Sequence, residues 1–582
     1  MNQAHSGIGH AHGGGAASGH ASQAMLLAAV LAGLLLLVPL AALIATAMAT
    51  FDAATLLHLL HTILLETVTV STLLAAGTVA GAIALGVGSA WAIERHRFPG
   101  RDALAWLLVL PLAMPTYVIA YAYTDLLQYS GPIQRWLRIE LGWQGRLPDI
   151  RTLTGAIVLF SFVFYPYVYL LARTALGELS ASAIESARLL GRGRLGVFRD
   201  VVRPLIKPAV VAGAMLVLME TLADVGATYY FGLQTFSAGI YKTWFALGDR
   251  GAALMLAVVL LAAVVVIHRI ERRARGRARL ATSRTHRPWL PEPVAGARGR
   301  LLAALLAIPV LIGFVIPVIA LVWLLLREPE MTPTLARFWQ WTGNSFVAGV
   351  LGATLTLVVA IAIAYAVRFG EGVWAPLTRL TAGSLKFGYA VPGTVIALAI
   401  LWPASIADRA ISGWLGSSGT LLTTTIAGVL YAYLLRFFAV AYGGVEASME
   451  RITPSLDAAA RTLGASRLAV FRRVHVPLLR RAALVAWLLV LIDTMKELPA
   501  TLMLRPFNFD TLAVIAQQLS LDERLAEAAL PSLAIVAIGI VPVVLVSRLL
   551  GHGAGSAAAA PARTIPDQSA KASQQAGLQS LN

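Results

Sequence analysis

At 582 residues, 58% hydrophobic and only 13% charged, with a mean hydropathy of +0.75, the chain carries about half the charged fraction of a soluble domain, which excludes a water-solvated globular protein. A net charge of +17 in so apolar a chain fits basic loops held at the cytoplasmic face of a lipid bilayer better than a nucleic-acid surface. Cysteine is absent, which excludes disulfides, thiol catalysis and cysteine-based zinc or iron–sulfur sites.

Residues 1–24 are rich in Gly, Ala, Ser and His and are expected to form a disordered tail; His5, His10, His12 and His20 lie in it without the fixed geometry that a metal site needs. The apolar run Met25–Ala49 has neither a basic flank before it nor a cleavage site after it, and reads as a membrane anchor. Runs long enough to cross a bilayer core, about 20 residues each, are expected at 25–49, 65–92, 103–127, 153–172, 208–228 and 251–268. Six more follow at 301–326, 343–367, 378–402, 420–441, 480–502 and 528–549. The expected organisation is two six-span halves, 25–268 and 301–550, joined by an Arg-rich cytoplasmic linker at 269–300 and followed by a disordered tail at 551–582. Arg and Lys concentrate in alternate breaks, which places those breaks and both termini in the cytoplasm of a multi-pass protein. The break 128–152, with Arg135, Arg138, Arg146 and Arg151, strains that rule.

The most informative stretch is ARLLGRGRLGVFRDVVRPL, Ala187–Leu205, because a shift of 273 positions lands without a gap on ARTLGASRLAVFRRVHVPL, Ala460–Leu478. Each copy sits in a cytoplasmic loop, 178–207 and 446–480, and places a Gly thirteen positions before a Pro. The spacing of Leu179, Ala183, Ala187, Leu190 and Phe198 predicts a short amphipathic helix, a turn at Gly191 and a second helix ended by Pro204. A protein partner that docks twice explains the repeated Gly–Pro spacing; a partnerless structural hairpin is the alternative.

Glu185-Ser186-Ala187, then Gly191 and Pro204, resembles the EAA loop of permease subunits of binding-protein-dependent ABC importers. The second copy departs from that pattern, with Ala458-Ala459-Ala460 at the triplet and Asp457 one place early. PLAMPTYVIAYAYTDLLQYSGPIQ at 111–134, METLADVGATYYFGLQTFSAGIYKTWF at 219–245 and DTMKELPATLMLRPFNFDTLAV at 493–514 are similar to fused iron(III) importer permeases. The resemblance implies an all-α integral membrane fold of twelve transmembrane helices in two homologous halves, the type I (MetI-like) permease. It implies a bacterial inner-membrane location, with a cytoplasmic ABC ATPase homodimer and a periplasmic substrate-binding protein as partners. ATPase coupling would fall to Glu185, Ala187, Arg188, Gly191 and Pro204, and to Asp457, Ala460, Arg461, Gly464 and Pro477. Thiamine, phosphonate and polyamine importers share the loop and the fusion, so those substrates stay open.

Five lysines are present and none follows a Gly, so the chain shows no phosphate-cradling Gly-Lys-Ser/Thr loop. The resemblance accordingly assigns ATP and Mg to the partner, with no cofactor, no nucleic acid and no catalytic residue in this chain. His58 and His61 lack the intervening Glu of a metalloprotease motif. A proton-coupled secondary transporter is the remaining alternative, and it would have no use for duplicated docking loops.

Charged residues within spans are costly and mark wet cavities or partners. Glu220 and Asp224, four apart and expected on one helix face, align at the repeat shift with Asp493 and Glu497, and Lys496 can pair with Asp493. Four carboxylates at an outward mouth would suit a hard cation such as iron(III), which prefers oxygen ligands; helix-end charges solvated at the interface or hydrogen-bonded to neighbouring loops are the other reading. Tyr117, Tyr121 and Tyr123, and Tyr165, Tyr167 and Tyr169, could add phenol oxygens or be ordinary interface tyrosines.

Overall fold

The computed structural model describes residues 14–49, 57, 60–275, 289, 291–331, 333–370, 374–415, 423 and 425–558; His5, His10, His12, His58, residues 276–288 and 290 of the linker and residues 559–582 lie outside them. In the first half the principal helices are α1 (Gly14–Ala49), α2 (Leu65–Arg95), α3 (Leu153–Gly177), α4 (Ala181–Leu189), α5 (Arg203–Ala223), α6 (Gly226–Tyr230) and α7 (Arg250–Arg275). The second half supplies α8 (Gly296–Val310), α9 (Ile316–Arg327), α10 (Leu335–Phe369), α11 (Trp374–Lys386), α12 (Gly393–Leu415) and α13 (Ala427–Glu450). It continues through α14 (Pro454–Thr462), α15 (Val476–Met495), α16 (Pro499–Leu504), α17 (Leu512–Leu521) and α18 (Leu525–Ala558).

Among the described residues nine helices are long and apolar enough to cross a membrane. Expected span 103–127 is a broken one, a tenth crossing if its two arms count together, bent by 93° between Arg101–Ala113 and Thr116–Leu141, and Gly33–Ala49 and Leu525–Val541 are shorter apolar helices. The break has a local cause. Pro115 forces Met114 out of the helical region (ψ 115°), and Pro392 does the same to Val391 (ψ 124°) at the repeat-related position, so 378–402 also splits, into α11 and α12. Helices extend beyond other expected limits: α1 begins at Gly14, α7 runs to Arg275 and α18 to Ala558.

Prolines also create the links between helices. Pro39 has no N–H for the carbonyl of Leu35 four residues earlier, and the Tyr431 hydroxyl donates to that carbonyl at 2.5 Å. Pro317 follows a π-helical turn, Leu311–Val315, and likewise leaves the Ile312 carbonyl free; the Tyr123 hydroxyl donates to it at 2.8 Å. In each case a tyrosine of one half satisfies the first helix of the other.

The core repeats that exchange on a larger scale. One buried cluster unites α2, α3 and the 104–123 segment with Leu306, Phe314, Leu321 and Leu324 of α8 to α9, and with Leu512, Ala516, Ala529 and Ile535 of α17 and α18. The other unites α10 to α16 with Leu36 and Leu43 of α1 and Ala253, Ala257, Leu260 and Val264 of α7. Each half therefore lends its first and last long helices to the core of its counterpart.

Small residues set the closest approaches, as expected where lipid gives no hydrophobic drive between helices. Val168 of α3 is pinched between Gly86 of α2 and Gly213 of α5: a Cβ on Gly86 would lie 2.7 Å from Val168 Cβ and 2.8 Å from the Tyr165 carbonyl oxygen, and one on Gly213 would lie 2.7 Å from Val168 Cα. Gly88, two residues on, faces open space. Gly86→Ala should therefore destabilise the folded protein by about 1–3 kcal/mol, whereas Gly88→Ala should be neutral or mildly stabilising through helix propensity. Thermal melting in detergent checks the pair; equal melting temperatures for both variants would contradict the packing.

Candidate functional site

A cavity of about 110 Å³ lies on the seam between the halves, lined by Thr116, Tyr117, Tyr167, Glu220 and Asp224 from the first and by Tyr389, Arg436, Asp493, Lys496 and Glu497 from the second. It forms where α5 and α15 stop short. The spans expected at 208–228 and 480–502 end as helices at Ala223 and Met495, and each chain then turns into a short helix, α6 or α16. Asp224 thus lies beyond the end of α5 in extended backbone (ψ 127°), not on a common helix face with Glu220.

The outer pair of carboxylates is spent on those turns. Asp224 accepts hydrogen bonds from the Thr116 hydroxyl and from the Thr228 N–H at 3.0 Å. Glu497 accepts from the N–H groups of Ala500 and Thr501, both at 2.9 Å, and from the Thr501 hydroxyl at 2.5 Å. Arg436 lies 3.7 Å from Glu497. Both acids act as helix N-terminal caps, the helix-end reading weighed above. The inner pair is different. Glu220 accepts from the Tyr389 hydroxyl at 3.1 Å, and Asp493 pairs with Lys496 at 2.9 Å, as its i,i+3 spacing predicts.

Of the candidate tyrosines, Tyr117 and Tyr167 line the cavity. Tyr121 does not: it is fully buried against α18, donating to Ser532 Oγ at 2.5 Å, and is withdrawn from the path. Tyr123 is committed to Ile312, and Tyr169 donates to the Ala105 carbonyl at 2.8 Å. Sequence reasoning missed Tyr389 and Arg436, whose repeat-related residues are Leu112 and Val163; a search restricted to features shared by both copies could not find them.

The duplicated loops fold alike. Each short helix ends at a glycine in the left-handed region, Gly191 (φ +81°) and Gly464 (φ +82°). The Gly191 N–H donates to the Arg188 carbonyl at 3.0 Å and the Arg192 N–H to the Ala187 carbonyl at 3.1 Å; Gly464 with Arg461, and Ala465 with Ala460, repeat both distances. A π-helical turn, Phe198–Val202 or Phe471–His475, then leads into α5 or α15, with Pro204 and Pro477 in their first turns, where a missing N–H costs nothing, so Pro204 opens a helix and does not end one as expected. Beside each glycine an apolar side chain stands unpacked: Leu190 is 83% exposed and Leu463 88%.

Residues 82–279 and 375–552, together more than half of the chain, match the family described as "Binding-protein-dependent transport system inner membrane component". The chain belongs to this family. It is thus an ABC importer permease, a multi-pass inner-membrane transport subunit carrying the family fold twice. Over 473 residues, 80% of this chain and 87% of the relative, the permease is 26% identical to the Fe(3+)-transport system permease protein FbpB 2 of Haemophilus influenzae. Over 247 residues, 42% of this chain and 88% of the relative, it is 29% identical to a probable molybdenum ABC transporter permease protein of Haloferax volcanii. A sulfate transport system permease protein of Salmonella typhimurium is 34% identical over 145 residues, 25% of this chain and 50% of the relative.

The two loops of the permease are braced differently. Asp457, which the resemblance places among the coupling residues, is turned inward. It takes the inward place that Ile184 holds in the first copy, bonding Arg368 Nε at 2.9 Å and His475 Nε2 at 2.8 Å. Arg368 also donates to the carbonyls of Met449 (2.7 Å) and Ile452 (2.8 Å), which locks α14 to the end of α10. In the first half Arg95, the last residue of α2, is held in another way. The Trp289 ring covers it instead, 3.0 Å from guanidinium carbon to ring centroid, and Glu292 lies 3.7 Å away; both belong to the segment before α8. Glu292 also reaches Arg188 of α4 at 3.8 Å, and residues 292–293 pair as a two-residue parallel strand with His96 and Arg97. Glu185 is exposed on α4.

Burial would raise the Asp457 carboxyl, but the hydrogen bonds with His475 and Arg368 outweigh it and hold the acid below its ordinary range. A depressed carboxyl stabilises above its unfolded pKa, about 3.9, and loses that contribution only as pH falls through the lower folded value. Asp457→Asn should therefore cost about 1–3 kcal/mol at neutral pH, a deficit constant down to about pH 5 and closing below about pH 4. Melting curves of both proteins across that range test this; a deficit that changes between pH 7 and 5 would point to another group.

Proposed function

We propose that this permease imports iron(III) by alternating access, receiving it from a periplasmic binding protein and coupling to a separate ATPase homodimer that holds ATP and Mg. Both termini and both duplicated loops lie on the cytoplasmic side in this reading. The observation that carries the substrate is the seam cavity, where four carboxylates and the phenols of Tyr117, Tyr167 and Tyr389 outnumber two cations. Oxygen donors with excess negative charge suit a hard, highly charged cation. The similarity to an Fe(3+) permease over most of both chains supports the same substrate.

An oxyanion is the second reading, favoured by Arg436 and Lys496 at the cavity and by similarity to molybdenum and sulfate permeases. Both cations already have carboxylate partners, which leaves little positive field for an anion. Docking of the ATPase is assigned to α4 and α14, where Leu190 and Leu463 offer matching apolar tips on either side of the seam. Glu185, Ala187, Arg188, Gly191 and Pro204, and Ala460, Arg461, Gly464 and Pro477, present or shape those tips, and Asp457 positions α14 from behind.

In proteoliposomes containing the permease, its ATPase and its binding protein, ATP-dependent uptake of labelled iron is expected. Glu220→Gln should lower it about tenfold without loss of folded protein. Gly191→Val and Gly464→Val should uncouple ATP hydrolysis from uptake, because a β-branched residue at φ near +80° is strained. Uptake of molybdate in place of iron would overturn the substrate, and wild-type coupling in both glycine variants would remove the docking role.

A further inference from the structure

The seam acids divide into two that the backbone uses and two that it does not. Asp224 and Glu497 are 9% and 4% exposed and cap α6 and α16. Glu220 and Asp493 face the cavity, and among the described residues Glu220 has a phenol for its partner and no base. A third group points to a ligand independently. Tyr117 is only 3% exposed and lines the cavity, yet its hydroxyl has no hydrogen-bond partner among the described residues. A buried hydroxyl left unmatched costs free energy that an incoming ligand recovers.

Lys496 breaks the symmetry of the pair. Its counterpart at the repeat shift is Ala223, so only one half places an ammonium at the end of its helix. It is bound to Asp493, with Glu220 also within its electrostatic reach. The side chains of Lys496 and Asp493 keep 31% and 25% exposure, so the ion pair borders open space and can part. No group of three His, Asp or Glu residues among the described residues comes together as a resident metal site would need. The donors fit passage, not storage.

Building on the iron(III) reading, we propose that Glu220, Asp493 and the phenol oxygens of Tyr117, Tyr167 and Tyr389 form a transit site for a hard multivalent cation, with Lys496 as its tethered competitor. In the empty site the ammonium occupies Asp493 and supplies part of the missing positive charge. An arriving cation displaces it, and the displaced ammonium, still held by its chain, repels the cation and speeds its departure. Passage requires binding that is weak enough to be reversed; Lys496 sets that weakness.

The test is titration of the purified full-length permease in detergent with terbium(III), a hard trivalent probe, reading luminescence sensitised by the nearby aromatic rings. Lys496→Met should bind about tenfold tighter than wild type, equivalent to about 1.4 kcal/mol, and Lys496→Arg should stay near wild type. Glu220→Gln added to Lys496→Met should reverse the gain, and Asp493→Asn alone should bind more weakly than wild type. In iron uptake, Lys496→Met should lower the half-saturating concentration and the maximal rate together. If Lys496→Met binds terbium no tighter, or if the double variant keeps the gain, the competitor role is overturned. Should Lys496→Met fail to fold, unchanged terbium binding by Asp493→Asn would overturn it equally. Absence of iron uptake by the wild type, with the terbium pattern intact, would instead overturn iron as substrate and leave the cation site standing.

Discussion

The exchange of first and last helices between the halves is the constraint on which the rest depends. Neither half has a complete core alone: Leu36 and Leu43 of α1 pack with α10 to α16, while α8, α9 and α18 pack with α2 and α3. Between lipid-embedded helices these side chains contribute by close van der Waals packing, small for each contact and large in sum, so the exchange is not easily undone. It also explains why the polar cavity sits at the seam. The halves are tied at their flanks by apolar contacts and tyrosine–carbonyl bonds, and the centre is free to be polar and to change shape.

The seam and the loops share a second property, duplicated geometry with unequal chemistry. Gly191 and Gly464 differ by one degree in φ and close their helices with the same hydrogen bonds. Arg95 and Arg368 lie at the ends of α2 and α10, one held by Trp289 and Glu292 ahead of the second half and the other by Asp457 of α14. The cavity shows the same division, with Arg436 and Lys496 both coming from the second half. The backbone has the same form at both glycines, while the side chains around the loops and the seam differ between the halves.

Legibility from sequence followed the same line. The helical class, the two halves and the paired glycines were readable because long apolar runs and an ungapped repeat constrain the backbone directly. The Asp493–Lys496 pair was readable because i,i+3 spacing is local. What could not be read was where span helices end early. Ala223 and Met495 look apolar and helical, and only the capping of the next turn by Asp224 and Glu497 shows why α5 and α15 stop. The inward bracing of Asp457 was not readable for a related reason: its partners, Arg368 and His475, lie 89 and 18 positions away and are brought in by tertiary folding. Tyr121 went the same way, since Ser532 is distant in the chain.

The helix exchange also bears on assembly in the membrane. During synthesis α1 enters the bilayer long before the α10 to α12 segment that completes its packing, some three hundred residues later in the chain. At about 5–20 residues per second, α1 waits roughly 15–60 s with lipid in place of its partners. Its exposed carbonyl at Leu35, opposite Pro39, stays unsatisfied until Tyr431 arrives. The first helix of the permease is thus among the earliest to be made and the latest to be secured, which makes it a natural handle for membrane quality control of unfinished chains.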